Sequence, residues 1–339
     1  MGKVTVRDLA KRLGVSPATV SIVLNGKEGV SEATRKRVLQ EIKASGYSLP
    51  PKKISSEKGV LVMKYYKSGF FVEENQGFLS TIIDSIEDNL RAKHIAITIF
   101  NSKSGIDQDL KAINYGDYQG LVIIGTEMME EDYGLLQQIP IPFVVLDNIM
   151  PCFNYSCVCI NNAENVWLAL DYCKRCGHRD LGYLGSNFFT ENFKERYEAF
   201  LRYIPQLDLS FQPQHEFRVT ATMLGAYKDF SKLLDRGIDL PPCFFAENDT
   251  IALGVMKALQ ERGYRIPEDV SIIGFDNINY SSISNPRLTT IHVQREAMGA
   301  QVVRQLTEQM ARPEDEVFKS RITGRLVVRD SVLNLSEQA

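Results

Sequence analysis

Over the first 45 residues the apolar positions fall three and four apart, the period of helices that bury one face. Leu9, Ala10 and Leu13 line the first stripe, Val20, Val23 and Leu24 the second, and Val38, Leu39 and Ile42 the third. Polar residues mark the ends. Thr5 stands at an N-cap position, and Asp8 three residues on completes a capping box. Gly14 tolerates the positive φ of a tight turn. Ser16 caps a second helix with Pro17 in its first position, where no backbone N–H is needed. Ser31 caps a third helix. Two short helices around a tight turn, with a third behind them, predict a helix-turn-helix whose second helix enters a major groove. Thr19, Ser21 and Ile22 are left facing outward.

Beyond residue 58 the pattern changes. Short apolar runs at 60–63, 95–100, 121–124 and 143–146, then at 181–184, 216–219, 243–246 and 270–273, read as buried parallel strands. Helical stretches separate them, at 78–93, 163–176, 193–202, 222–236 and 250–262. This alternation predicts an α/β fold of parallel sheets, and two such sets predict two Rossmann-like lobes. The segment Ser48-Leu-Pro-Pro-Lys-Lys-Ile-Ser-Ser-Glu-Lys58 between the two patterns is a linker, with two prolines and few apolar residues.

Charge sharpens this division. Residues 1–58 hold 12 Lys or Arg against 5 Asp or Glu, a balance of +7, whereas the whole chain is −3, leaving −10 for the rest. A basic module on an acidic body fits contact with phosphates through the module alone. The 339 residues suffice for two or three domains. No apolar run is long enough to span a bilayer and no signal pattern precedes the first helix, so a cytoplasmic protein with no membrane partner is expected. Six cysteines are present. Cys157-Val-Cys159 alternates like a strand, and Cys173-Lys-Arg-Cys176, with His178 near it, lies at a helix end. Packing is the expected role of all four, with no metal or other cofactor, because buried cysteine behaves as a small hydrophobe.

Ligands of open α/β sheets bind at the carboxyl ends of strands. Asp147, Asn248, Asp249 and Asp276 stand just past predicted strand ends, and Arg196 opens onto the same edge from a helix. Carboxylates with a planar guanidinium suit vicinal hydroxyls or a carboxylate. Asp249 is expected instead to cap the helix that follows it. No nucleophile–base pair, Gly-rich phosphate loop or metal-ligand cluster stands at a strand end, so an enzyme is not expected.

The segment Thr5-Val-Arg-Asp-Leu-Ala-Lys-Arg-Leu-Gly-Val-Ser-Pro-Ala-Thr-Val-Ser, with Leu24-Asn-Gly after it, resembles the headpiece of the LacI/GalR family of bacterial transcription regulators. Further matches follow in family order: Arg175-Cys-Gly-His-Arg-Asp-Leu-Gly-Tyr-Leu-Gly185, Glu195-Arg-Tyr-Glu-Ala-Phe200, Glu247-Asn-Asp-Thr-Ile-Ala-Leu-Gly254, Ile266-Pro-Glu-Asp-Val-Ser-Ile-Ile-Gly-Phe-Asp-Asn277 and Leu326-Val-Val-Arg-Asp-Ser331. The resemblance implies a headpiece at 1–48, a linker or hinge at 49–58, and a core like that of periplasmic sugar-binding proteins. Its first lobe would be 59–160 plus 292–321 and its second 161–291 plus 322–334. It further implies a homodimer on a pseudo-palindromic double-stranded operator, acting as a repressor under a small-molecule effector, with carbohydrate the favoured class. An activator, or a repressor that needs its ligand as corepressor, stays open, as does, more remotely, a cytoplasmic solute-binding protein without regulation.

Effector contacts would come from Arg196, Asn248 and Asp276, with Asp147 close and Phe78 offering a ring face or else packing in the core. DNA contacts would come from Thr5, Ser16, Pro17, Ala18, Thr19, Ser21, Ile22, Asn25, Lys52 and Lys53. Three features depart from the family. Ile22 stands where many relatives carry arginine, so no dominant guanine contact is expected there. Pro50-Pro-Lys-Lys-Ile-Ser-Ser replaces the usual hinge-helix pattern, with Ile54 as the one candidate minor-groove wedge. Asn161-Asn162 replaces Asp-Asn, which is expected to change hydroxyl preference in the cleft. The segment 64–75 is long and aromatic, with Tyr65, Tyr66, Phe70 and Phe71, and suits a lid or a subunit contact.

Overall fold

A computed structural model describes residues 5–24, 29–45, 58–67, 76–102, 105–312 and 316–337. It divides into two compact units, Met1–Lys53 and Ile54–Ala339. Asn25, Lys52, Lys53, Ile54, Phe70 and Phe71 lie outside the described residues, as does the hinge apart from Lys58.

The first unit contains α1 (Val6–Leu13), α2 (Pro17–Leu24) and α3 (Glu32–Ser45). Thr5 and Asp8 form the capping box: Asp8 Oδ2 accepts from the Thr5 backbone N–H at 2.9 Å, and Thr5 Oγ1 accepts from the Asp8 N–H at 3.3 Å. Gly14 turns the chain at φ 64°. Ser16 Oγ accepts from the Thr19 N–H at 3.0 Å, and Ser31 Oγ from the Thr34 N–H at 3.3 Å. Leu9, Ala10, Val20, Val23, Val38 and Ile42 close into one small core. Leu39 departs from expectation, being 47% exposed. Val38 and Ile42, one turn apart, define the inward line of α3, and Leu39 stands roughly 100° round the helix from Val38.

In the second unit one sheet has the order β11-β5-β4-β3-β1-β2, built from β1 (Gly59–Tyr65), β2 (Ile97–Ser102), β3 (Tyr118–Ile124), β4 (Phe143–Leu146), β5 (Cys157–Ile160) and β11 (Lys319–Ile322). The other has the order β12-β10-β9-β8-β6-β7, built from β6 (Asp180–Ser186), β7 (Ser210–Val219), β8 (Cys243–Ala246), β9 (Ser271–Asp276), β10 (Thr289–His292) and β12 (Arg325–Val327). Among the described residues every pairing is parallel except β10 with β12, an antiparallel edge. The chain passes from the first sheet to the second after β5, returns after β10, and crosses again between β11 and β12.

Helices cover the sheets: α4 (Gln76–Arg91), α5 (Ile106–Ala112), α6 (Glu130–Tyr133), α7 (Asn162–Arg175), α8 (Glu191–Gln206), α9 (Met223–Asp235), α10 (Asp249–Gln260) and α11 (Arg295–Ala311). All four residues of β5 are buried. Val158 and Ile160 pack in one apolar cluster and Cys157 and Cys159 in another, so both faces of that strand are covered and its alternation does not mark a solvent side. Cys173 and Cys176 are buried at the end of α7, with Cys173 Sγ 3.8 Å from Cys243 Sγ. Among the described residues no group of three or more His, Cys, Asp or Glu is placed to hold a metal, and no helix is long and apolar enough to cross a membrane.

Candidate effector cleft and DNA-facing helix

The carboxyl ends of β4, β8 and β9 bring polar groups to one place. Asp147 follows β4 at φ 66° and Asp276 ends β9 at φ 109°. Non-glycine residues in left-handed backbone store roughly 1–3 kcal/mol each, a strain that clusters at functional positions. Thr190 caps α8, its Oγ1 accepting from the Phe193 N–H at 3.2 Å, and this helix carries Arg196 inward.

Arg196 is almost wholly buried. Nε donates to Asn162 Oδ1 at 2.9 Å, Nη1 to the Glu247 carbonyl at 2.6 Å, and Nη2 to Asp276 Oδ1 at 3.4 Å. Its guanidinium carbon lies 3.7 Å from the centre of the Phe275 ring, a cation–π contact. Asp147 Oδ2 accepts from the Thr126 hydroxyl at 2.6 Å, and Oδ1 from the Asn192 amide at 3.0 Å. Burial raises the pKa of Asp147 above the usual carboxylate range and pushes that of Asp276 up to about 7, against the opposing pull of Arg196.

Phe78, Asp147, Arg196, Asn248 and Asp276 all line one cavity with Thr126, Thr190, Asn192 and Phe193. The cavity encloses about 40 Å³, room for only a few waters. A ligand must therefore displace these internal bonds or part the lobes. Phe78 packs in the main core and also borders the cavity.

Two expectations need correction. Asn248, not Asp249, caps α10: its Oδ1 accepts from the Ile251 N–H at 2.9 Å, and the residue also lines the cavity. Asp249 is the first residue of α10 and fully buried. It accepts from Ser281 and Thr290 hydroxyls at 2.5 Å each and from the Ile278 N–H at 3.0 Å, and burial pushes its pKa up to about 6. Asn161 does not line the cavity. It donates to Glu164 at 2.7 Å and Thr323 at 3.0 Å at the crossing point of the chain. Asn162 is the one that reaches Arg196.

Glu247, which the sequence marks only as part of a motif, is a buried carboxylate that accepts from the Tyr183 hydroxyl and the Ser186 N–H at 2.6 Å each, with a pKa pushed up to about 7 by burial. Thr126 carried a usable signal, standing two residues past β3. Asn192 and Thr190 did not, because their place depends on where α8 begins. Tyr65, from the aromatic segment, is buried and aims its hydroxyl at Asp132 Oδ1, 3.4 Å away, so it forms no part of a lid.

On the first unit, Pro17, Ala18 and Ser21 are exposed along α2, and Thr19 and Ile22 are half-buried. The Ser16 and Thr19 hydroxyls lie 2.9 Å apart, and Thr5 gives its hydroxyl proton to Asp8 at 2.7 Å. Thr5 and Ser16 therefore already act as caps, and any phosphate contact must share their oxygens.

Known proteins share this arrangement. Residues 5–49 match bacterial regulatory proteins of the lacI family, and residues 170–332 match the periplasmic binding protein-like domain. The HTH-type transcriptional repressor PurR of Haemophilus influenzae (strain PittEE) is 30% identical over 339 residues, covering 98% of this chain and 99% of its own. That of Pasteurella multocida is 29% identical over 333 residues, covering 97% and 98%. Among solved structures, the transcriptional regulator CelR–cellobiose complex matches with a TM-score of 0.72 at 22% identity, covering 97% of this chain and 100% of that one. The lac repressor dimer bound to operator and the anti-inducer ONPF gives 0.71 at 21% identity, covering 98% and 100%. The capped helix-turn-helix, the two-sheet core and relatives matched along nearly the whole chain lead to one conclusion: this chain belongs to the LacI family of bacterial regulatory proteins, DNA-binding repressors with a ligand-binding core.

Proposed function

We propose that this chain is a homodimeric repressor whose operator affinity is set by a carbohydrate bound between the two sheets of its core. The observation that carries the reading is the convergence of Asp147, Asp276, Asn248 and Arg196 beside the rings of Phe78 and Phe193. Carboxylates and amide groups suit hydroxyls, and rings suit the apolar face of a sugar. The cellobiose bound to CelR and the ribose bound to a LacI family regulator of Enterococcus faecium, 24% identical, support the same ligand class. The two cavity rings also favour a second reading, a planar heterocyclic base. Calorimetry of the purified protein against pentoses, hexoses, disaccharides and purine bases separates them. Binding of a purine base with no sugar response overturns the carbohydrate reading.

For the operator, Pro17, Ala18 and Ile22 would read base edges, while Thr5, Ser16, Thr19, Ser21, Asn25, Lys52 and Lys53 would meet the backbone. The second copy would dock on an apolar groove between α9, α10 and the turn after β9, where Leu224 is 59%, Tyr280 60% and Ile283 74% exposed. A protein that binds chromosomal operators acts in the cytoplasm. Selection of bound sites from random duplex DNA by the full-length protein tests the DNA half. A two-fold symmetric motif is expected, and salt-sensitive binding with no motif would refute it.

A further inference from the structure

We propose that Arg321 and Glu195 form an interlobe clasp that fixes the orientation of the effector-facing Arg196. The inference rests on the effector reading of the cleft for its consequence, and on geometry alone for its existence. Arg321 lies on β11, which pairs with β5 in the first sheet. Glu195 lies on α8, which packs on β6 and β7 of the second sheet. Arg321 Nη2 donates to Glu195 Oε1 at 2.6 Å and Nη1 to Oε2 at 3.2 Å, a two-pronged bond between the sheets.

The same carboxylate does a second thing. Glu195 Oε2 accepts from Asn162 Nδ2 at 2.9 Å. An ionised carboxylate only accepts, so the Asn162 amide must point its nitrogen at Glu195 and its oxygen the other way. That oxygen receives Arg196 Nε at 2.9 Å. The Asn162 nitrogen also donates to Asn192 Oδ1 at 2.8 Å, and Asn192 Nδ2 donates in turn to Asp147 Oδ1 at 3.0 Å. Two cavity groups, Arg196 and Asn192, thus take their direction from one amide whose sense Glu195 sets. Arg321 holds that carboxylate in place from the opposite lobe, so parting the lobes releases the amide and then the guanidinium. Arg321 and Glu195 are positioning residues; neither lines the cavity.

The side chains are 36% and 18% exposed, so the clasp is moderate in strength and sensitive to salt. Spin labels at Lys93→Cys on the first lobe and Lys232→Cys on the second, with Cys152→Ser removing the exposed native thiol, report the lobe separation by double electron–electron resonance without effector or DNA. Arg321→Met should lengthen or broaden that distance, and the exchange Glu195→Arg with Arg321→Glu should restore it. In parallel, phenylglyoxal modification of Arg196, read by peptide mass, should accelerate by up to about fivefold in Arg321→Met, the size expected of a partly exposed pair. It should stay fast in the exchange variant, because a guanidinium at position 195 cannot accept from Asn162. An Arg321→Met distance equal to that of the parent overturns the clasp. Arg196 protected in the exchange variant overturns the positioning role. A protein that binds no sugar yet shows both changes keeps this inference and loses only the effector reading.

Discussion

Arg196 is the residue on which the core site turns. It satisfies the Asp276 carboxylate, the Glu247 carbonyl and the Asn162 amide oxygen at once, all of them buried. Removing it strands those acceptors without water. Arg196→Ala should lower the stability of the core by about 3 kcal/mol, the cost of leaving a buried charge unpaired. Urea unfolding measures this, and a loss near zero would mean that solvent enters and replaces the guanidinium.

The neighbouring carboxylates give a pH signature. Folding raises Asp276 and Glu247 to about 7, so the native state binds protons more tightly than the unfolded chain. The stability from these two groups is complete below the unfolded carboxylate range, roughly pH 4, and is lost as pH rises through about 7. Asp276→Asn carries no such charge. The stability of the parent protein relative to this variant should therefore fall between about pH 5 and pH 8. A constant difference across that range would show that Asp276 is not raised.

At the scale of elements, α9 and α10 pack at a distance that glycine sets. Gly254 sits inside α10, where a Cβ would collide with the Met223 carbonyl oxygen and the Ala226 methyl. Alanine is favoured over glycine in a helix by about 1 kcal/mol, yet overpacking costs about 1–3 kcal/mol. Gly254→Ala should therefore destabilise the core, and a rise in thermal midpoint would show that the helices can move apart.

The helix-turn-helix depends on its caps. Ser16→Ala should weaken α2 by about 1 kcal/mol, seen as faster amide exchange of Val20 and Val23 in the full chain. Along the same helix, Ile22→Arg should change base preference at one step per half-site in selected duplexes. Unchanged preference would count against the major-groove docking of α2. The small elements were the most readable in the sequence, because a cap and its helix lie within three residues of each other. Thr5, Asp8, Gly14, Ser16 and Ser31 all take the local roles their positions foretell. Leu39 misled because a three-residue apolar pattern does not say which of two adjacent side chains meets the core.

At the scale of the molecule, the groove holding Leu224, Tyr280 and Ile283 is the test of assembly. Ile283→Asp should halve the sedimenting mass while leaving the fold of the core intact, since Ile283 touches mainly solvent in one chain. A dimer that survives this change and Leu224→Asp together would place the second copy elsewhere.

The sequence alone determined the helix-turn-helix with its caps, the alternation of strand and helix, and the strand-end residues Asp147, Asn248 and Asp276. These are local or periodic properties, written in spacings of two, three and four. Tertiary structure shows how the chain shares its strands, a division that no local pattern gives and that only the family resemblance implied. β11 and β12 are three or four residues long, carry little apolar pattern, and join different sheets. It also decided that Asn248 caps α10 while Asp249 is buried beneath it, and that Thr190 and Asn192 join the cavity. The link from Arg321 through Glu195 and Asn162 to Arg196 spans 159 residues between the amide and the arginine that anchors it. No local pattern encodes such a link, because its parts meet only when two separately hydrogen-bonded sheets are brought face to face by the chain that crosses between them.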